Sequence, residues 1–257
     1  MNFASKLYSM IPNKGEIGIF WMGQAGFLIK NSYREVMAID AYLSNLTEKR
    51  DGLKRIMMSI IRPDEVKADI VLASHHHTDH LDLDSLPDMM KDADVLYCCK
   101  QSAALCQDMD IAPEKIQIAS VGERLDYKHF VIEAVFADHG DYAPDALGFI
   151  IQTDGIKVYF TGDTSYQAER MRHATDQDID ILIVPINGEY GNMNERDAVM
   201  LAEQTKAKIT IPCHFWLFAR HKGSPYEFET EMQLRCPALK SYTMCQGEFM
   251  SYFKKNP

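Results

Sequence analysis

The chain has 257 residues, of which 46% are hydrophobic, 25% charged and 10% aromatic, a composition that excludes a disordered, collagen-like or fibrous protein. Lys and Arg total 27 against 37 for Asp and Glu, and a net charge of −10 works against a nucleic-acid partner, whose phosphates require a basic face. No apolar run reaches the roughly 20 residues of a membrane span, and Met1 to Gly15 has no signal-like stretch, so a cytoplasmic protein without a membrane partner is expected.

In chain order, Gly18 to Met22, Gly26 to Lys30 and Glu35 to Asp40 read as three short strands in a meander, separated by turn-prone pieces. Leu46 to Ile61 places Leu53, Ile56, Met57, Ile60 and Ile61 at helical spacing before Pro63, which suits a helix or a flap. Asp69 to Ser74 is a buried strand, being apolar without interruption and too short for a helix. An alternating pattern follows: a helix near Asp84 to Lys91, a strand at Val95 to Cys98, a helix near Gln101 to Met109 and a strand near Lys115 to Ala119. The second half repeats it. Phe130 to Ala137, Ala146 to Thr153 and Ile156 to Phe160 are strand-like, the last two joined by the hairpin signal Asp154-Gly155. Then come a helix at Tyr166 to His173, a buried strand at Ile179 to Pro185, a helix at Asn194 to Thr205 capped by Asn194, and a final strand at Lys208 to Pro212. Two halves of sheet plus helices imply an α/β sandwich with helices outside, in one domain spanning residues 1–257, since no linker-like tract or repeat divides the chain. A chain of this length holds a core without disulfides or a structural metal, so a metal site reads first as functional. Its six cysteines form no C-x-x-C pair and are expected to be reduced core residues.

The strand ending at Ser74 runs straight into His75-His76-His77-Thr78-Asp79-His80, an HxHxDH segment. In an extended loop His75 and His77 project to one side and can share a cation, while Asp79 and His80, beyond a bend, can reach a second. The competing reading, adventitious metal binding by a His-rich surface loop, is weakened by what ends the other strands. His139 follows Phe130 to Ala137, Asp163 follows Ile156 to Phe160, and His214 follows Lys208 to Pro212. Each strand finishes in a candidate ligand, which is how a rigid sheet presents a preorganised site.

This ordered series, HxHxDH, then His, Asp and His, resembles the metallo-β-lactamase superfamily over nearly the whole chain. Within it the chain is most similar to the L-ascorbate-6-phosphate lactonase (UlaG-like) group of metal-dependent hydrolases, through Trp21 to Phe27, Ile39 to Ser44, Gly162 to Tyr166, Asn187 to Asn192 and Ile211 to Trp216. The resemblance implies a four-layer αβ/βα sandwich with two divalent metal ions at its edge. His75, His77 and His139 would bind the first, Asp79, His80 and His214 the second, and Asp163 would bridge them, with a hydroxide between the ions. Asp40 would support the histidine loop. Nitrogen and oxygen donors suit zinc, manganese or iron, with no thiolate signature. Manganese and an oligomeric assembly are features carried over from the subgroup.

The expected activity is hydrolysis of a small anionic lactone or ester, such as a sugar-phosphate lactone, by a metal-bridged hydroxide. Asp79 and Asp163 are the catalytic candidates, Asp79 because it can orient that hydroxide and accept its proton. An anionic substrate needs cations, and Arg220, His221 and Lys222 supply a basic triplet after His214, with Trp216 and Tyr190 as pocket walls; a solvated loop is the alternative for the triplet, and core packing for Trp216. His76 should point away from the metals, Cys213 into the core, and His129 and His173 into solvent, while Gln24 and Tyr42 touch either substrate or the loop. Two other functions compete: a small-molecule phosphodiesterase or nuclease on the same dinuclear site, and a non-catalytic metal-binding protein, against which the complete ligand set argues.

Overall fold

Two seven-stranded sheets lie face to face in the computed structural model, which describes residues 3–254. The chain builds the first from β1 (Glu16–Gly23), β2 (Gly26–Lys30), β3 (Val36–Ile39), β4 (Ile70–Ala73), β5 (Val95–Cys98) and β6 (Ile116–Ile118). It then builds the second from β7 (Arg124–Tyr127), β8 (Phe130–Phe136), β9 (Leu147–Thr153), β10 (Ile156–Phe160), β11 (Ile181–Pro185), β12 (Ile209–Cys213) and β13 (Lys240–Ser241). Finally β14 (Phe249–Phe253) returns to pair antiparallel with β1 at the edge of the first sheet. Each sheet is mixed: β1, β2 and β3 are antiparallel neighbours while β3 to β6 run parallel, and the second sheet joins antiparallel β7 to β10 to parallel β10 to β13.

Strand periodicity explains the layering. Ile17, Ile19, Phe27, Ile29, Ile70 and Leu72 point between the sheets, while the intervening Phe20, Leu28, Val71 and Leu96 form a separate apolar cluster on the outer face. That outer face is covered by α1 (Phe3–Ser9), α3 (Leu86–Met89) and α4 (Lys100–Leu105), through Leu7, Leu86, Met89 and Ala103. On the other side α6 (Glu195–Thr205) and α7 (Pro225–Arg235) bury Ala198, Val199, Leu201, Phe228 and Met232. The result is the expected helix, sheet, sheet, helix sandwich. Strands buried on both faces read as continuous apolar runs, which is why β4, β11 and β12 were legible in sequence.

Several expected elements are corrected. The Leu46 to Ile61 segment is helical only in α2 (Leu46–Asp51): Gly52 caps it at φ +69°, and Arg55 is drawn inward to the Ser44 and Met57 carbonyls, leaving Ile56, Met57 and Met58 exposed. Tyr166 to His173 is mostly irregular, with helix only in α5 (Arg172–Thr175), because Ser165 and Gln167 bond the Asp138 carboxylate instead of continuing a helix. Lys208 to Pro212 is not the last strand, since β13 and β14 follow. Among the described residues no helix is long and apolar enough to cross a membrane.

Candidate metal centre

Every candidate ligand sits where a strand ends on one edge of the sandwich: Asp40 after β3, His75 to His80 after β4, His139 after β8, Asp163 after β10 and His214 after β12. Carboxyl ends of strands are the usual place for sites in α/β sheets. The construction starts at Asp40, fully buried, whose Oδ1 accepts the Ser74 amide at 2.8 Å and whose Oδ2 accepts Ser74 Oγ at 2.6 Å. Having donated its proton, Ser74 Oγ accepts from His75 Nδ1 at 3.0 Å, which leaves His75 Nε2 bare. His77 donates Nε2–H to the Tyr142 carbonyl at 3.2 Å, which leaves its Nδ1 bare. These two unprotonated nitrogens face each other at 2.9 Å, with His139 Nε2 at 3.3 Å from His77 Nδ1. Lone pairs converging without protons repel, and a cation among them removes the repulsion. The three residues fit one metal ion.

A second group is fixed in the same way. Asp40 Oδ2 accepts His80 Nδ1–H at 2.7 Å, turning His80 Nε2 toward His214 Nε2 at 3.2 Å and Asp163 Oδ2 at 3.4 Å. Asp163 Oδ2 is 3.2 Å from His214 Nε2 and 3.8 Å from His139 Nε2, so one carboxylate oxygen stands between the two groups. Asn192 Nδ2 donates to that oxygen at 2.7 Å, while Asp163 Oδ1 is buried with no hydrogen-bond partner, as suits an atom kept for a cation. Asp79 Oδ2 adjoins this group at 3.5 Å from His214 Nε2. His76 contributes to none of the ligand clusters among the described residues, and Cys213 is in the core.

The backbone is strained here. Asp40 (φ +45°), His214 (φ +61°) and Gln24 (φ +53°) are left-handed, a conformation that costs non-glycine residues about 1–3 kcal/mol each. Surrounding bonds impose it, including His214 N–H to the Gln24 carbonyl at 2.9 Å, which ties the β1–β2 turn to the end of β12.

Burial disfavours charge on His214, but the Asp163 and Asp79 carboxylates outweigh it and push the ring from about 6.5 up to about 9; His80 moves the same way, against Asp163, Asp79 and Asp40. Burial leaves His139 down at about 4. A ring whose folded pKa is raised stabilises the fold fully below its unfolded value and loses that contribution as pH climbs through the folded one. Chelator-treated protein should therefore melt at lower temperature at pH 9 than at pH 6.5, while metal affinity rises over the same window as protons leave His80 and His214. Thermal unfolding with chelator at the two pH values checks this; an equal or higher Tm at pH 9 would contradict it.

Over the ligands opens a cavity of about 590 Å³, within the range of small-molecule sites. Of the expected substrate contacts, Arg220, His221 and Tyr190 line it. Lys222 and Trp216 do not. Lys222 is exposed and paired with Glu189 at 2.6 Å, and Trp216, 61% exposed, turns outward on a left-handed residue (φ +59°). His129 and His173 lie at the surface, paired with Glu35 and Glu133. Tyr42 is buried under Phe218 and Arg55 and is absent from the cavity wall. Contributors not assigned from sequence include Arg50 and Asp51 of α2, Tyr142 beside His139, and Asn192 on Asp163. The only local hint was Asn192 within the Asn187 to Asn192 motif.

Residues 18–214 match the model of the beta-lactamase superfamily domain family. The chain is 28% identical over 212 residues to a UPF0173 metal-dependent hydrolase of Carboxydothermus hydrogenoformans, covering 77% of this chain and 84% of that one. Its structure is similar to Igni18, a metallo hydrolase from Ignicoccus hospitalis (TM-score 0.74, 22% identity, 93% of this chain and all of that one). It is also similar to the metallo-beta-lactamase fold protein YhfI of Bacillus subtilis (TM-score 0.72, 17% identity, 93% of this chain and all of that one). These likenesses to solved structures establish the fold.

Proposed function

The chain belongs to the beta-lactamase superfamily, and from that membership we propose that it is a metal-dependent hydrolase acting on a small anionic lactone or ester. The observation that carries the substrate class is a pair of arginines. Arg50 and Arg220 line the cavity above the ligand clusters, and neither has an ion-pair partner among the described residues. By contrast, Lys49 is paired with Asp84 and Lys222 with Glu189. Asp51 also lines the cavity, its Oδ2 accepting the Thr78 hydroxyl at 2.7 Å, and makes no ion pair with either arginine.

His75, His77 and His139 would hold one divalent ion, and Asp79, His80 and His214 a second, with Asp163 shared. Ions so held would supply a water nucleophile ionised near pH 7 and would polarise the substrate's oxygen. The chain's own groups do the rest. Asp79, kept ionised because His80 and His214 outweigh its burial, accepts a hydrogen bond from the attacking water and orients it. Asn192 steadies Asp163, and Tyr142 and Tyr190, whose rings meet edge to face 6.4 Å apart, wall the mouth.

The test is acid release in a pH-stat by the manganese- or zinc-loaded protein on phosphorylated sugar lactones, neutral lactones and small phosphodiesters. Each charge-assisted hydrogen bond is worth about 1.5–3 kcal/mol, so Arg50→Ala and Arg220→Ala should each raise KM for the phosphorylated substrate roughly tenfold or more. Metal content and turnover of neutral lactones should stay unchanged. Equal losses on neutral and charged substrates would remove the anion-binding role, and hydrolysis of phosphodiesters alone would move the assignment to that reaction.

A further inference from the structure

We propose that His221 is an additional ligand of the second cation, an arm that the series HxHxDH, His, Asp, His does not contain; this rests on the reading of the centre as a metal site. The ring is buried between exposed neighbours, Arg220 and Lys222, on the loop between β12 and α7. It stacks on His214 at 4.9 Å with 14° between the planes and meets the edge of Phe218 at 5.0 Å. The ligand atoms of Asp79, His214 and His221 lie within 4.8 Å of one another, in a cluster that shares His214 with the His80–Asp163–His214 group.

What points to a cation is the polarity of the junction. Gln24 Nε2 lies 2.8 Å from Asp79 Oδ2, 2.9 Å from His221 Nδ1 and 3.0 Å from His214 Nε2. An amide nitrogen has two protons, which serve the Asp79 oxygen and the His221 nitrogen, while His214 Nε2 is turned to Asp163 Oδ2 at 3.2 Å. Meanwhile Gln24 Oε1, on a side chain with no exposed surface, has no partner at all. One carboxylate and two imidazoles whose ligand atoms gather within 4.8 Å suit a divalent ion, and the buried, unpartnered amide oxygen belongs to the side chain that links them. With His221 added to Asp79, His80, Asp163 and His214, the protein offers the second ion more than four donors. Zinc favours four, whereas manganese and ferrous iron accept higher coordination, so the arm biases the site toward the latter.

The experiment is proton NMR of the cobalt(II)-loaded protein with 15N-labelled histidine. Each ligating imidazole shows its remaining ring N–H as a strongly shifted, solvent-exchangeable resonance. His75, His77, His80, His139 and His214 account for five; a sixth is expected, and His221→Gln should abolish that one alone while lowering affinity for the second cobalt at least about tenfold. His221→Asn, which is smaller, serves as a second variant, with near-ultraviolet circular dichroism confirming that both fold. Wild-type protein that binds two cobalt ions but shows no resonance lost in either variant would overturn the assignment and leave the metal-dependent reading intact. Wild-type protein that takes up no cobalt would overturn both.

Discussion

Replacing Asp163 by alanine is expected to lower bound metal by at least one equivalent and turnover by roughly 10³-fold or more, the loss of several kcal/mol of charge stabilisation at about 1.4 kcal/mol per decade. The carboxylate is 4% exposed, and its Oδ2 lies within 4 Å of His80, His139 and His214, which belong to different ligand groups. Removing it opens both groups at once and leaves Asn192 Nδ2 with Asn187 Oδ1, at 3.1 Å, as its remaining acceptor. Metal analysis and pH-stat rates on the same sample check this. An active variant with its full metal content would end the assignment of Asp163 as the shared ligand.

Gly162→Ala should act on stability and metal affinity together. Gly162 has φ +64°, and a β-carbon there would lie 2.5 Å from the Leu147 carbonyl oxygen and 3.2 Å from Ser74 Cβ. Leu147 is itself bonded to the Ser74 carbonyl at 3.0 Å, so the intruding methyl pushes on the start of β9 and on the residue that orients His75. Left-handed strain and overpacking together cost about 3 kcal/mol or more, a fall in Tm of roughly 6–12 °C for a chain of this size. Gly155→Ala is the control: it shares the left-handed backbone (φ +76°) but meets nothing within 4 Å, so only about 1 kcal/mol is expected. Equal Tm shifts in the two variants would show that backbone strain alone, without the contact, decides the outcome.

Much of the centre was legible before folding was considered, because its signals are local. A strand buried on both faces must be apolar throughout, and a candidate ligand at its end stands among the first few residues after the run: His75 after Ala73 and Ser74, Asp163 after Phe160, Thr161 and Gly162, His214 after Cys213. The Asp40 support for His80 also stood next to a readable strand end. Elements without such contrast were missed. The edge strand β14 is half exposed, β7 is a short polar strand, and α7 buries only Pro225, Phe228 and Met232, although Ser224 and Pro225 mark its start.

By itself, then, the sequence determined the strands, their alternation of faces and the order of the nitrogen and oxygen donors, all consequences of period-two burial and residue chemistry. Tertiary structure decided which of those donors meet. Gln24 and His221 are 197 residues apart yet bonded at 2.9 Å, and α2, unreadable as to role, delivers Arg50 to the cavity wall. It also turned Lys222 and Trp216 away, because Glu189 captures the lysine and a left-handed backbone at Trp216 swings the indole outward. Such outcomes depend on loop closure across two sheets and on which partner a charge finds there, and no local pattern encodes either.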